Sequence, residues 1–212
     1  MTRTDKSLEE LVRELPPELY GPVREGIEQL LARHARRAEE ANPLEPLAGA
    51  QVSLREVTGE TVRAICRLSD TLTPPRKYMV APNAVSIAQA HFEPKAWFRA
   101  IYADETPVGF IMLYDDPEEP VYFLWRLMVA TPHQGKGYGR RAVELLADYV
   151  ETRPGATELL VSCGEGAGSP EGFYQKLGFR RNGKTYGDEV GLVLPVPQRG
   201  RQSEEEANAQ LG

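Results

Sequence analysis

The sequence predicts an α/β fold: a mixed central sheet of six to seven strands flanked by helices, preceded by a helical extension. Three observations carry this. From residue 51 onward, β-branched and aromatic runs alternate with runs of helical periodicity, in the order β-α-α-β-β-β-α-β-α-β-β. The strand–helix–strand succession over 121–163 demands a crossover, and so a parallel pair inside the sheet. A glycine-dense loop, Gln134–Gly139, lies between a strong strand and a strong helix.

Residues 1–48 differ in character from the rest. Leu8, Leu11, Val12 and Leu15 recur at helical spacing. Pro16-Pro17-Glu18 ends that helix and starts another, whose apolar face carries Val23, Ile27, Leu30, Leu31 and His34. Asn42-Pro43 and Glu45-Pro46 form a linker. Two such helices bury little apolar surface alone, so they should pack on the main domain or on a second chain, which leaves a homodimer open.

From Gln51, Val52, Leu54 and Glu56-Val57 read as a short strand, and a helix follows with Val62, Ile65, Cys66 and Leu68. A segment with Pro74, Pro75 and Pro82 leads to a short helix over Val85–His91. Trp97–Ala103 and Val108–Tyr114 read as a hairpin around a four-residue loop, Asp104–Pro107. An acidic turn, Asp115–Pro120, precedes the long central strand Val121–Val129, whose alternation sets Trp125 and Arg126 on opposite faces. After the loop Thr131–Tyr138 comes a helix over Gly139–Thr152, and then the buried strand Leu159–Cys163. The loop Gly164–Pro170 and the short helix Glu171–Leu177 follow. Strands over Phe179–Asn182 and Val190–Leu194 flank the turn Thr185–Asp188. One domain therefore covers 51–196, and the polar, acidic stretch 197–212 reads as a disordered tail.

A net charge of −6 and a pI near 5.3 argue against nucleic-acid binding, which needs a basic surface. They suit a cationic small substrate. No run of about 18 apolar residues occurs, so no membrane span is expected. Cys66 and Cys163 each sit in an apolar stretch, without a CxxC pair or a His/Cys cluster. They read as buried free thiols in a reducing cytoplasm, with no metal.

Physically the loop Gln134-Gly135-Lys136-Gly137-Tyr138-Gly139 is an anion cradle. Glycines allow close backbone approach, and the N–H groups of a helix's first turn point outward with the positive end of the dipole. The GxxxxGK[ST] of a nucleotide-binding P-loop is absent. The spacing GxGxG differs from the dinucleotide GxGxxG and follows what reads as the fourth strand, not the first. The partner motifs of a kinase glycine loop are missing.

Leu127-Met128-Val129 followed by that loop, and later Gly172-Phe173-Tyr174-Gln175-Lys176-Leu177-Gly178-Phe179, resemble the signatures of the GNAT N-acetyltransferase superfamily. The resemblance covers about residues 51–195. Within it, Lys77–Ala90, Thr106-Pro107-Val108-Gly109-Phe110 and Trp125-Arg126-Leu127-Met128 resemble the polyamine acetyltransferase branch. What the resemblance implies is a GNAT fold and an acetyl-CoA-dependent transfer, without metal, to a primary amine of a small molecule such as a polyamine. Transfer would proceed by direct attack in a ternary complex. It implies that Leu127, Met128 and Val129 line the pantetheine arm, Met128 and Val129 through their backbone. Gln134, Gly135, Lys136, Gly137, Tyr138, Gly139 and Arg140 would hold the pyrophosphate, and Tyr174 would protonate the leaving thiolate. The base stays open among Glu93, Asp115, Asp116, Glu118, Glu119 and a water chain. His133 is expected to be exposed, and Cys163 lacks an activating partner. A sensor that binds acyl-CoA without turnover, and a partner-binding role for the first helices, stay open as alternatives.

Overall fold

The second of the chain's two units, Leu44–Gly212, is built on a seven-stranded sheet in the order β1-β2-β3-β4-β5-β7-β6. The computed structural model describes residues 49–197 together with Glu25, Gly26 and Gln29. Those three belong to the first unit, Met1–Pro43, and are helical, with Gln29 Nε2 donating to Glu25 Oε1 at 3.3 Å. The remainder of the expected N-terminal helices, and the tail beyond Pro197, lie outside the described residues.

The elements follow the expected order. They are β1 (Val52–Arg55), α1 (Val62–Leu68), α2 (Asn83–Phe92), β2 (Ala96–Ala103), β3 (Thr106–Asp116), β4 (Val121–Val129), α3 (Tyr138–Glu151), β5 (Glu158–Cys163), α4 (Glu171–Lys176), β6 (Arg180–Tyr186) and β7 (Glu189–Pro195). Neighbouring strands are antiparallel except β4 and β5, which run parallel because α3 carries the chain across. The buried side of α3 is Tyr138, Ala142, Val143, Leu146 and Val150, spaced at three and four residues as an amphipathic helix requires. These pack with Ile111, Leu113, Tyr122, Leu124 and Leu159 on one face of the sheet. On the other face Ile65 and Leu68 of α1 pack with Phe110, Met112 and Met128.

Three expectations need correction. The β2–β3 hairpin closes through two residues, Asp104 and Glu105, because Ala103 already pairs with Thr106; Asp104 takes a positive φ of 52° to make the turn. Asp115 and Asp116 are not turn residues: they extend β3, opposite Tyr122 and Val121. Cys66 is half-buried rather than buried, although Cys163 is buried; both are free thiols, as expected.

A fourth correction bears on the site. Met112 pairs with Arg126, but Leu113 pairs with Leu124, so Trp125 is an extra residue on β4. This β-bulge reverses the strand's parity. Before it Tyr122 and Leu124 face the α3 side; after it Leu127 and Val129 do. Trp125 and Arg126 therefore share the α1/α2 side: Trp125 packs in that core and Arg126 Nη2 reaches Gln89 Oε1 of α2 at 3.4 Å. The guanidinium lies 5.2 Å from the Trp125 ring centre.

Gly109 of β3 lies opposite Val129, and a methyl group there would overlap the Met128 carbonyl oxygen and stand 3.3 Å from the Val129 Cα. Because backbone atoms are in the way, β4 itself must shift. Gly109→Ala is expected to destabilise the domain by about 1–3 kcal/mol, read as a lower Tm in thermal unfolding; an unchanged Tm would show that β4 yields freely.

Candidate active site

The β4–β5 ladder is short. Only Phe123–Leu160 and Leu124–Val161 pair, and past the bulge the strands diverge. The edge of β4 from Trp125 to Val129 that faces β5 thus has no strand partner, and a cavity of about 1120 Å³ opens there. Leu127, Met128 and Val129 all line it. The Met128 side chain is buried in the α1/α2 core with Asn83 Nδ2 3.6 Å from its sulfur, so the strand offers the cavity its backbone.

At one end of the cavity β4 leads into the glycine loop. Gly137 caps α3 at φ 86°, a left-handed conformation costly for any side chain, with open space where a Cβ would stand. The first bond of the α3 ladder runs from Arg141 N–H to the Gly137 carbonyl at 3.1 Å. The N–H groups of Tyr138, Gly139 and Arg140 precede that ladder. Gly139 brings α3 close to its neighbours: a methyl there would lie 3.5 Å from both Phe173 and Val129 side chains. Gln134, Gly135, Gly137, Tyr138, Gly139 and Arg140 line the cavity; Lys136, also foreseen there, does not.

The side chains of this loop mostly brace it. Gln134 Nε2 donates to the Val129 carbonyl at 2.8 Å, and its Oε1 accepts from Arg76. The Tyr138 side chain is buried in the core. Arg140 Nη2 donates to the Lys176 carbonyl at 3.2 Å, tying α3 to the end of α4. Arg76 was not foreseen. It belongs to the segment between α1 and α2, which closes over the cavity: Thr71 Oγ1 accepts from Thr131 N–H at 3.0 Å, and Pro75 lies against Gly168 of the β5–α4 loop.

Where the strands part, Tyr174 of α4 lines the cavity and is 5% exposed. Its ring sits edge-on to Phe173 and Phe179, with centroids 5.2 and 5.4 Å away. Burial, reinforced by the nearby Cys163 and Glu189, pushes the phenol well above its ordinary value, so it holds its proton. Cys163 lines the same space, and burial raises its thiol too. The structure brings His133 into the cavity wall and buries it, against the expectation of exposure.

None of the acids proposed as base lines the cavity. Asp115 accepts from Tyr149 Oη at 2.7 Å and from Arg153 Nε at 2.9 Å, fastening α3 to the sheet. Burial and that carboxylate push Tyr149 up to about 12. Asp116 is buried against Lys95 at 2.5 Å, and this hydrogen bond holds its carboxyl below the usual range. Glu93 Oε1 accepts from Lys95 N–H at 3.1 Å; Glu118 and Glu119 lend their N–H groups to Asp116 at 3.1 and 3.3 Å. Among the described residues the one carboxylate in the cavity wall is Glu189, at the start of β7. It accepts from Ser162 Oγ, and Tyr186 beside it sits edge-on to Phe123 at 5.0 Å. Its chemistry lay hidden in an ordinary turn sequence, since only the β6–β7 hairpin carries it to the split.

A strand edge without a partner strand, the N–H groups of a glycine-capped helix start and a cavity of this size fit an extended molecule with an amide-bearing arm and a diphosphate. No curated protein sequence matches the chain. Solved structures do. An acetyltransferase from Thermus thermophilus superposes with a TM-score of 0.58 at 21% identity, covering 71% of this chain and 100% of its own. The PaiA N-acetyltransferase from Thermoplasma acidophilum in complex with coenzyme A gives 0.51 at 17%, covering 68% and 99%. The spermidine N-acetyltransferase from Vibrio cholerae in complex with CoA and spermine gives 0.51 at 15%, covering 69% and 96%. At these identities the likeness concerns the fold. Residues 65–179 match the model of the acetyltransferase (GNAT) family, which is more than half of the sequence, and the chain belongs to that family.

Proposed function

We propose that this protein moves an acetyl group from acetyl-CoA to a primary amine of a small molecule, by direct attack with both substrates bound. The observation that carries the reading is the convergence, in one cavity, of the free β4 edge, the glycine-capped start of α3 and the buried Tyr174 phenol. That similar folds were solved with coenzyme A or spermine bound is consistent with it.

When bound, acetyl-CoA supplies an acetyl group activated as a thioester. The backbone of Leu127, Met128 and Val129 would hold its arm as an added strand. The N–H groups of Gly135 to Arg140 would hold the diphosphate, with Arg76 adding positive charge at the loop. Gln134 acts by bracing the loop against Val129, and Lys136 contributes charge from outside the cavity. Tyr174, kept protonated by burial, would donate to the departing sulfur. An ammonium has no lone pair, so the amine must lose a proton; Glu189, oriented by Ser162, is the carboxylate placed to take it.

Gly137→Asp puts a side chain into a left-handed backbone and a negative charge beside the diphosphate, so acetyl-CoA affinity by calorimetry should fall at least about 100-fold; retained affinity would refute the loop assignment. Tyr174→Phe should lower kcat by about 100-fold or more, and the loss in affinity should be far smaller. Equal losses would exclude the acid role. In the wild type, kcat should not decline up to about pH 10, because the phenol titrates above its ordinary value. Glu189→Gln should cut kcat/KM by about 100-fold near neutral pH and recover as rising pH deprotonates the amine; a loss that is the same at every pH would remove Glu189 as the base. Thioester binding without turnover of any amine would leave a sensor.

A further inference from the structure

Arg126 is the unusual charge in this cavity. It lies at the split end of β4, at the bulge, whereas Arg76 and Arg140 serve the loop end. Its Nη1 donates to the neighbouring Trp125 carbonyl at 2.8 Å, and its Nη2 makes only the 3.4 Å contact with Gln89. The Nε atom is buried and has no hydrogen-bond partner. Among the described residues no carboxylate lies within ion-pair distance of the guanidinium. Burial accordingly drives its pKa down, opposed only by the more distant charge of Glu189. Arg126 as a whole is half-buried, and a cation partly withdrawn from water without a counter-ion is costly. The Nη2 group, held only by the long Gln89 contact, can donate a charge-assisted hydrogen bond to a carboxylate.

We infer that the acceptor is a small amino-carboxylate, whose carboxylate pairs with Arg126 while its amine meets Glu189. The inference rests on the acetyl-transfer reading of the same cavity and names its substrate class. A polyamine fits this arrangement less well. It would bring a second ammonium towards Arg126, and the cavity wall holds, among the described residues, a single carboxylate to receive it. An amino-carboxylate answers both unpaired charges at once.

The test compares initial rates of acetylation for small amino acids, for their carboxamides, and for spermidine. The carboxylated member of each pair should exceed its amide in kcat/KM by about 30-fold or more, as expected for a charge-assisted hydrogen bond. Arg126→Gln should collapse that ratio towards one, and Arg126→Lys should leave part of it, since a point charge remains. The ratio is internal to each variant, so a general loss of activity or folded protein cancels. Calorimetry on the CoA-saturated wild type should show the amino acid binding more tightly than its amide, without any turnover. An amide or spermidine used as well as the amino acid, or a ratio that survives Arg126→Gln, would overturn the inference and leave acetyl transfer standing. Thioester binding with no amine acetylated would bring down the transfer reading, and this inference with it.

Discussion

The parting of β4 from β5 is the constraint on which the site depends. A sheet normally satisfies its backbone groups by pairing each strand along its length. Here one extra residue, Trp125, bends β4 just where its parallel partner would continue, and the ladder stops after Leu124 and Val161. The cost is a row of backbone groups without a strand partner, which under the proposed reading is the surface that meets the cosubstrate. The bulge also turns two consecutive side chains to one face, bringing Trp125 and Arg126 to the α1/α2 side together.

Both arms of the split are braced by side-chain contacts. On the β4 side, Gly109 lets β3 approach the Met128 carbonyl, and the Gln134 side chain ties the loop back to Val129. On the β5 side, Tyr174 is wedged between Phe173 and Phe179, and Ser162 fixes Glu189. The far end of α3 is anchored by Asp115 through Tyr149 and Arg153, with Trp97 stacked on Tyr149 at 4.6 Å. A helix secured at its C-terminus presents its N-terminal N–H groups in a fixed direction, which is what binding an anion there requires.

Charge is arranged differently on the whole chain and in the cavity. The chain carries a net −6. Arg76, Arg126 and Arg140 nevertheless line the cavity, against a single carboxylate among the described residues, Glu189. The acids that look concentrated in the sequence around Asp115–Glu119 are neutralised locally: Asp116 by Lys95 and Asp115 by Arg153. Net charge is therefore a poor guide to the ligand, because a cavity is governed by its few nearest groups.

The sequence by itself determined the order of elements, the central strand Val121–Val129 and the glycine turn at Gln134–Gly139 that opens a helix, and it carried the family. These are local matters. Side-chain periodicity reports which face of a strand or helix is buried, and glycines report where the backbone turns. Tertiary structure alone decided the rest. Whether Asp115 is a base or an anchor depends on Tyr149 and Arg153, more than thirty residues away in the chain. Glu189 and Arg76 reach the cavity only because the β6–β7 hairpin and the α1–α2 segment fold over it. The bulge at Trp125 left no sign in the alternation of residue types, since Trp125 and Arg126 are each compatible with either face. Register is settled by the partner strand, and the partner strand is a non-local fact.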